Sequence, residues 1–137
     1  MDDKEKQKAE TDSWAQNIFA VTLFTEDLEK SKKFYEDVFG LSLVFEGDTS
    51  AVFKIGETLI NLLKISSADE LVTPAKVGSA DVGARLVFTV HVEDVDAMCQ
   101  KLIAQGVELV NGPIDRPWGI RSASFKDPSG HIWEIAK

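Results

Sequence analysis

Thr58-Leu59-Ile60-Asn61-Leu62-Leu63-Lys64 returns 73 residues later (131 − 58) as His131-Ile132-Trp133-Glu134-Ile135-Ala136-Lys137. Gly40-Leu41-Ser42-Leu43-Val44 likewise matches Gly106-Val107-Glu108-Leu109-Val110 at an offset of 66 (106 − 40), and Asp27-Leu28 matches Asp94-Val95 at 67 (94 − 27). Three matched stretches in one order mark an internal duplication. Each copy is about half of the 137 residues, too small to stand comfortably alone, so the two should share a core or a surface.

The residues around these anchors give each copy the same element order. Ile18–Phe24 reads as a strand from its β-branched and aromatic content. Asp27 is placed to cap a helix, whose apolar face is Leu28, Phe34, Tyr35, Val38 and Phe39, and Gly40 ends it. Leu41–Glu46, Ala51–Ile55 and Leu59–Ile65 are predicted strands, separated by turns at Gly47-Asp48-Thr49 and Gly56-Glu57. The second copy runs from a strand at Leu86–Val92 to a helix capped by Asp94, with Val95, Met98, Cys99, Leu102 and Ile103 on its apolar face. Strands at Val107–Val110, Arg121–Phe125 and His131–Ala136 follow. The last two are joined by Asp127-Pro128-Ser129-Gly130, residues that suit a type I turn. The expected division is therefore a mobile tail over 1–17 with room for a short helix near Trp14, a βαβββ module over 18–65, a linker over 66–84, and a second module over 85–137. All but the tail form one domain.

Composition excludes several classes of function. Fifteen basic against twenty-three acidic residues leave a net charge of -8, which repels phosphate backbones and anionic lipid, so neither nucleic acid nor a membrane is an expected partner. A cationic or neutral small molecule suits this surface better. A single cysteine cannot form an internal disulfide, and the first residues carry no basic start followed by an apolar run, so the cytoplasm is the expected compartment.

Two βαβββ modules, the stretch Asp27-Leu28-x-x-Ser31-x-x-Phe34-Tyr35, and Asp127-Pro128-x-Gly130-His131-x-x-Glu134 together resemble the vicinal oxygen chelate superfamily. That superfamily holds glyoxalase I, fosfomycin-resistance enzymes, extradiol dioxygenases and bleomycin-resistance binding proteins. The resemblance spans Ile18 to Lys137 and implies an α+β fold in which two modules shape a cup-like mixed sheet, with helices outside and ligand inside. Strand parity agrees with two-faced strands. Val21 and Leu23 oppose Ala20, Thr22 and Phe24, while Phe88, Val90 and Val92 oppose Val87, Thr89 and His91. The resemblance makes the mixed sets the cup face.

It also implies where a metal would be held. Relatives place ligands seven residues before each capping Asp, which gives Ala20 and Val87, and on the last strand of each module, which gives Asn61 and Glu134. A divalent transition metal needs three or four protein ligands, and only Glu134 is a good one. No metal or other cofactor is expected, with a divalent metal as the alternative. Neither His91, four residues past its ligand position, nor His131, beside a turn, is well placed to repair the set.

The expected ligand-binding residues are Phe24, Asn61, Thr89, His91, Trp118, Arg121 and Glu134, and Glu134 is the one candidate for a catalytic role. Glu134 reads either as a solvent-facing strand charge or as a cup-facing carboxylate. Trp118, in Pro117-Trp118-Gly119, reads as a gap-filling loop residue or as a stacking surface for a planar ligand. Arg121 reads as the partner of a surface acid or as a ligand contact. Cys99, on an apolar helix face, reads as a buried inert thiol. Expected function is capture of a small, partly aromatic molecule, cationic or neutral, without a metal, as in bleomycin-resistance proteins. The alternative is a metal-dependent lyase, isomerase or dioxygenase using Glu134 as ligand or general base. Because one module cannot close a cup by itself, a homodimer with cavities at or near its interface is expected.

Overall fold

Asp27 is extended and accepts a hydrogen bond from Lys30 N, and Asp94 does the same for Ala97 N, so each helix starts where the sequence places its cap. In the computed structural model, which describes residues 13–137, the elements alternate as the duplication requires. The first module is β1 (Ala20–Thr25), α1 (Leu28–Asp37), β2 (Phe45–Glu46), β3 (Ser50–Ile55) and β4 (Thr58–Lys64). A short helix α2 (Asp69–Val72) follows, and then β5 (Val87–His91), α3 (Val95–Ala104), β6 (Leu109–Asp115), β7 (Arg121–Lys126) and β8 (Ile132–Ala136). Each module makes one four-stranded mixed sheet, ordered β1-β4-β3-β2 and β5-β8-β7-β6, with the first and last strands of the module parallel. This is the α+β arrangement expected from the residues.

Both helices pack on one face of their sheets, and on that face one core serves both modules. Tyr35 of α1 stacks on Phe53 of β3 and meets the edge of Trp133 on β8, while Phe34 and Phe39 approach Phe125 of β7. α3 buries Val95, Cys99 and Leu102 against the second sheet. Leu23, Ile60, Leu62, Ala123 and Ile135 complete the joint core. At about 25 cal/mol per Å² of apolar area, shared burial gives each half-sized module a reason to fold only with the other.

A polar clasp ties the halves together inside this core. Asp127, in the turn before β8, accepts hydrogen bonds from Tyr35 Oη, His131 Nδ1 and the backbone N–H groups of Ser129 and His131. Trp133 Nε1 donates to Tyr35 Oη at 3.0 Å, and Thr25 Oγ1 bonds both Ser31 and Ser129 hydroxyls. Burial, reinforced by the negative Asp127, pushes the Tyr35 phenol far above its ordinary value, so it stays a donor. The 127–130 turn closes with Gly130 N to Asp127 O at 3.1 Å, as its residues predict.

Several boundaries differ from the sequence expectation. β1 starts at Ala20, not Ile18. Of Leu41–Glu46 only Phe45 and Glu46 form a strand, because Leu41 and Leu43 turn inward to pack on the core. β6 begins two residues late and extends to Asp115, through register breaks between Leu109 and Asn111 and between Asn111 and Ile114. The predicted linker is partly structured, with a 3-10 turn at Ile65–Ser67 and α2. Trp14 sits in a bend and is exposed, with no helix there, and residues 1–12 of the predicted tail lie outside the described residues. No helix among the described residues is long and apolar enough to cross a membrane.

The largest length difference between the two modules lies in one hairpin. Phe45 on β2 pairs with Val52, seven residues on (52 − 45), whereas the corresponding Asn111 on β6 pairs with Ser124, thirteen residues on (124 − 111). The second hairpin is therefore six residues longer, and the excess carries Arg116-Pro117-Trp118-Gly119.

Candidate functional site

With both helices packed on one side of the sheets, the other face of each sheet turns away from the core. Across the first sheet, register puts Thr22, Asn61, Val52 and Phe45 in one transverse row. Across the second it puts Thr89, Glu134, Ser124 and Asn111 in the matching row. Thr89 follows Thr22 by 67 residues (89 − 22) and Glu134 follows Asn61 by 73 (134 − 61), the offsets of the sequence repeat. Side chains directly opposite across a ladder share a face, so each row is a continuous wall.

The two walls differ in chemistry. In the first, Asn61 Nδ2 donates to Thr22 Oγ1 at 3.3 Å and nothing is charged. In the second, Thr89 Oγ1 donates to Glu134 Oε1 at 2.8 Å, which fixes the carboxylate while Oε2 has no side-chain partner among the described residues. A half-buried carboxylate held by one hydroxyl is suited to accept a cationic or hydrogen-bond-donating group. His91 is exposed two residues beyond Thr89 on the same face, beside Ala136.

The remaining expected residues fall elsewhere. Phe24 lies two residues along from Thr22, where it borders a cavity of about 160 Å³ formed with the 78–86 segment and His131. Trp118 stands at the tip of the β6–β7 hairpin, 69% exposed, touching neither wall through a hydrogen bond. Arg121 has the parity of Ala123 and Phe125, so it turns to the helix side. There Asp96 of α3 takes Nε and Nη2 at 2.8 and 2.9 Å, and Asp115 takes Nη1 at 3.1 Å. The hydrogen bond from Arg121 lowers the Asp96 carboxyl below its ordinary value, and the two acids hold the guanidinium protonated. Of its two readings, partner of a surface acid is what the geometry displays.

Sequence reasoning passed over Arg116. Its Nε donates to Ser122 Oγ at 2.8 Å and one Nη donates to Asn111 Oδ1. Ser122 and Asn111 face the same way as Ser124 and Glu134, so the guanidinium lies over the charged wall. The signal was unreadable because alternation fails through the two register breaks of β6.

The four family ligand positions hold Ala20, Asn61, Val87 and Glu134. Two are aliphatic, the amide of Asn61 is engaged with Thr22, and one carboxylate remains. No group of three or more His, Cys, Asp or Glu side chains that could hold a metal ion occurs among the described residues. This donor set does not fit a divalent transition ion.

Comparison with known proteins locates the chain among relatives. The model of the Glyoxalase/Bleomycin resistance protein/Dioxygenase superfamily matches residues 17–135. The uncharacterized protein YraH of Bacillus subtilis is 34% identical over 124 residues, 88% of this chain and 97% of that one. The metallothiol transferase FosB of Lysinibacillus sphaericus is 30% identical over 120 residues, 88% and 81% of the two chains. Among solved structures, a glyoxalase/bleomycin resistance protein/dioxygenase from Nocardioides superposes with a TM-score of 0.79 at 25% identity, covering 97% of this chain and 91% of that one.

Proposed function

Because the chain belongs to the glyoxalase/bleomycin resistance protein/dioxygenase superfamily, we propose that its open sheet faces form a cup that captures a small, partly aromatic, cationic molecule without a metal. One observation carries the reading: Glu134 sits on the outward wall with Thr89 holding one oxygen and the other left for a ligand. Affinity alone then does the work, and a net charge of -8 draws cations towards the site. Trp118 supplies a flat apolar surface at the rim.

Closure needs a second copy. Each chain presents two outward walls, and the exposed apolar residues Phe45 and Val87, 59% and 53% exposed, belong to them. Two chains that place the Asn61 wall of one against the Glu134 wall of the other make two cups and cover these residues.

The test is titration of protein dialysed against a chelator with bleomycin-type and other cationic aromatic compounds, read by tryptophan fluorescence and thermal shift. Saturable binding that weakens in Glu134→Gln is expected; no response across the panel overturns the reading. The likeness to a metallothiol transferase favours a second reading, a metal-dependent enzyme with Glu134 as ligand or base. A stoichiometric Zn, Ni, Fe or Mn that persists through dialysis would establish that reading in place of the first.

A further inference from the structure

The second wall carries a positive group as well as a negative one, and no ion pair among the described residues neutralises either. Arg116 is half-buried, yet no carboxylate lies within ion-pair distance of it among the described residues. Asp115, its neighbour in sequence, is spent on Arg121. Two neutral acceptors, Ser122 Oγ and Asn111 Oδ1, hold the guanidinium by Nε and one Nη. Of the five N–H donors an arginine owns, three remain for something else. A guanidinium clamped in place and left with a free edge is preorganised for a carboxylate, phosphate or phosphonate.

Glu134 is the counterpart. It pairs across the ladder with Ser124, and Ser122 is two residues along the same strand. At strand spacings of ~4.8 Å and a rise of ~3.3 Å per residue, the diagonal from Glu134 to Ser122 is roughly 8 Å. The two side chains do not pair with each other; each is held by a hydroxyl on the same face of the sheet, Glu134 by Thr89 and Arg116 by Ser122.

We infer that the cup recognises a zwitterion, with Arg116 taking the anionic group of the ligand and Glu134 the cationic group. This rests on the cup reading above and narrows it from a cation to a molecule bearing both charges, of the size of an amino acid. Arg116 is thereby a specificity-determining residue supplied by the longer hairpin, and Trp118, two positions on, lies on the same projection.

Three probes separate the terms: phenylalanine, phenylalaninamide, which lacks the anion, and N-acetylphenylalanine, which lacks the cation. Calorimetric titration of the wild type should show phenylalanine binding at least about tenfold more tightly than either derivative, the scale of one charge-assisted hydrogen bond. Arg116→Gln should abolish the preference over the amide while leaving amide affinity within about twofold. Glu134→Gln should abolish the preference over the N-acetyl compound. Arg116→Lys retains the charge without the fork and should recover part of the preference, which a purely structural role of Arg116 would not produce. If the amide binds as well as phenylalanine, the inference fails while the cup stands. If none of the three binds the wild type, the zwitterion reading is overturned, and the cationic panel then decides the cup separately. If Arg116→Gln does not fold, the wild-type ranking of the three probes alone decides.

Discussion

The phenol of Tyr35 donates to Oδ2 of Asp127 at 2.7 Å, joining residues 92 positions apart and belonging to different modules. The same oxygen receives His131 Nδ1, and the phenol oxygen receives Trp133 Nε1. Tyr35 thus acts as donor and acceptor at once, in a place that excludes water.

Tyr35→Phe removes both roles and little volume. It leaves the Trp133 indole N–H without an acceptor and takes one donor from a buried carboxylate. The expected loss is about 1–3 kcal/mol of stability. Urea denaturation followed by near-ultraviolet circular dichroism measures it, and an unchanged midpoint would show that the clasp contributes nothing.

Asp96 gives a pH signature. Arg121 lowers its folded-state carboxyl below the ordinary value of 3.8. The pair therefore stabilises the fold above that value, and the contribution disappears as pH falls through the lower folded value. Asp96→Asn should reduce the urea midpoint at neutral pH and converge with the wild type in strong acid. Added salt should shrink the difference, because the pair is exposed. Parallel curves at every pH would contradict this.

Gly112 admits no side chain. At φ +86°, a Cβ there would stand 2.6 Å from Ser122 O and 2.7 Å from Ala123 Cα, both backbone atoms. Gly112→Ala should cost roughly 2–4 kcal/mol, through strain and through separation of β6 from β7. Thermal unfolding checks it; a loss of less than about 0.5 kcal/mol would mean the hairpin yields easily.

Light scattering at micromolar concentration should report about twice the 15.1 kDa chain mass. Val87→Glu, which puts a charge on the open face, should shift the population to monomer and remove the fluorescence response to cationic aromatics. A monomeric wild type would sink the shared-cup arrangement.

Much of the architecture was legible because repetition and periodicity are local signals. The caps Asp27 and Asp94, the matching stretches and the apolar faces around Tyr35 and Cys99 all reappear in the structure. The candidate site was less legible. Parity places Thr89 and Glu134 on one wall, but Arg116 reaches that wall through a hairpin whose register breaks twice. Arg121, on regular strand, is oriented by Asp96, a partner 25 residues away that no spacing rule announces. Long-range polar pairing is the part of a site that a linear pattern does not encode.

The six additional residues of the β6–β7 hairpin have a practical consequence. The two halves keep one element order and differ most in this hairpin, so the part that differs most is set apart from the shared core. Trimming Arg116-Pro117-Trp118-Gly119 and its neighbours to the length of the β2–β3 link would bring the halves to nearly the same length. Grafting the longer hairpin onto the first half would instead give both walls the same equipment. The chain offers a ready-made place for exchanging selectivity without rebuilding the core.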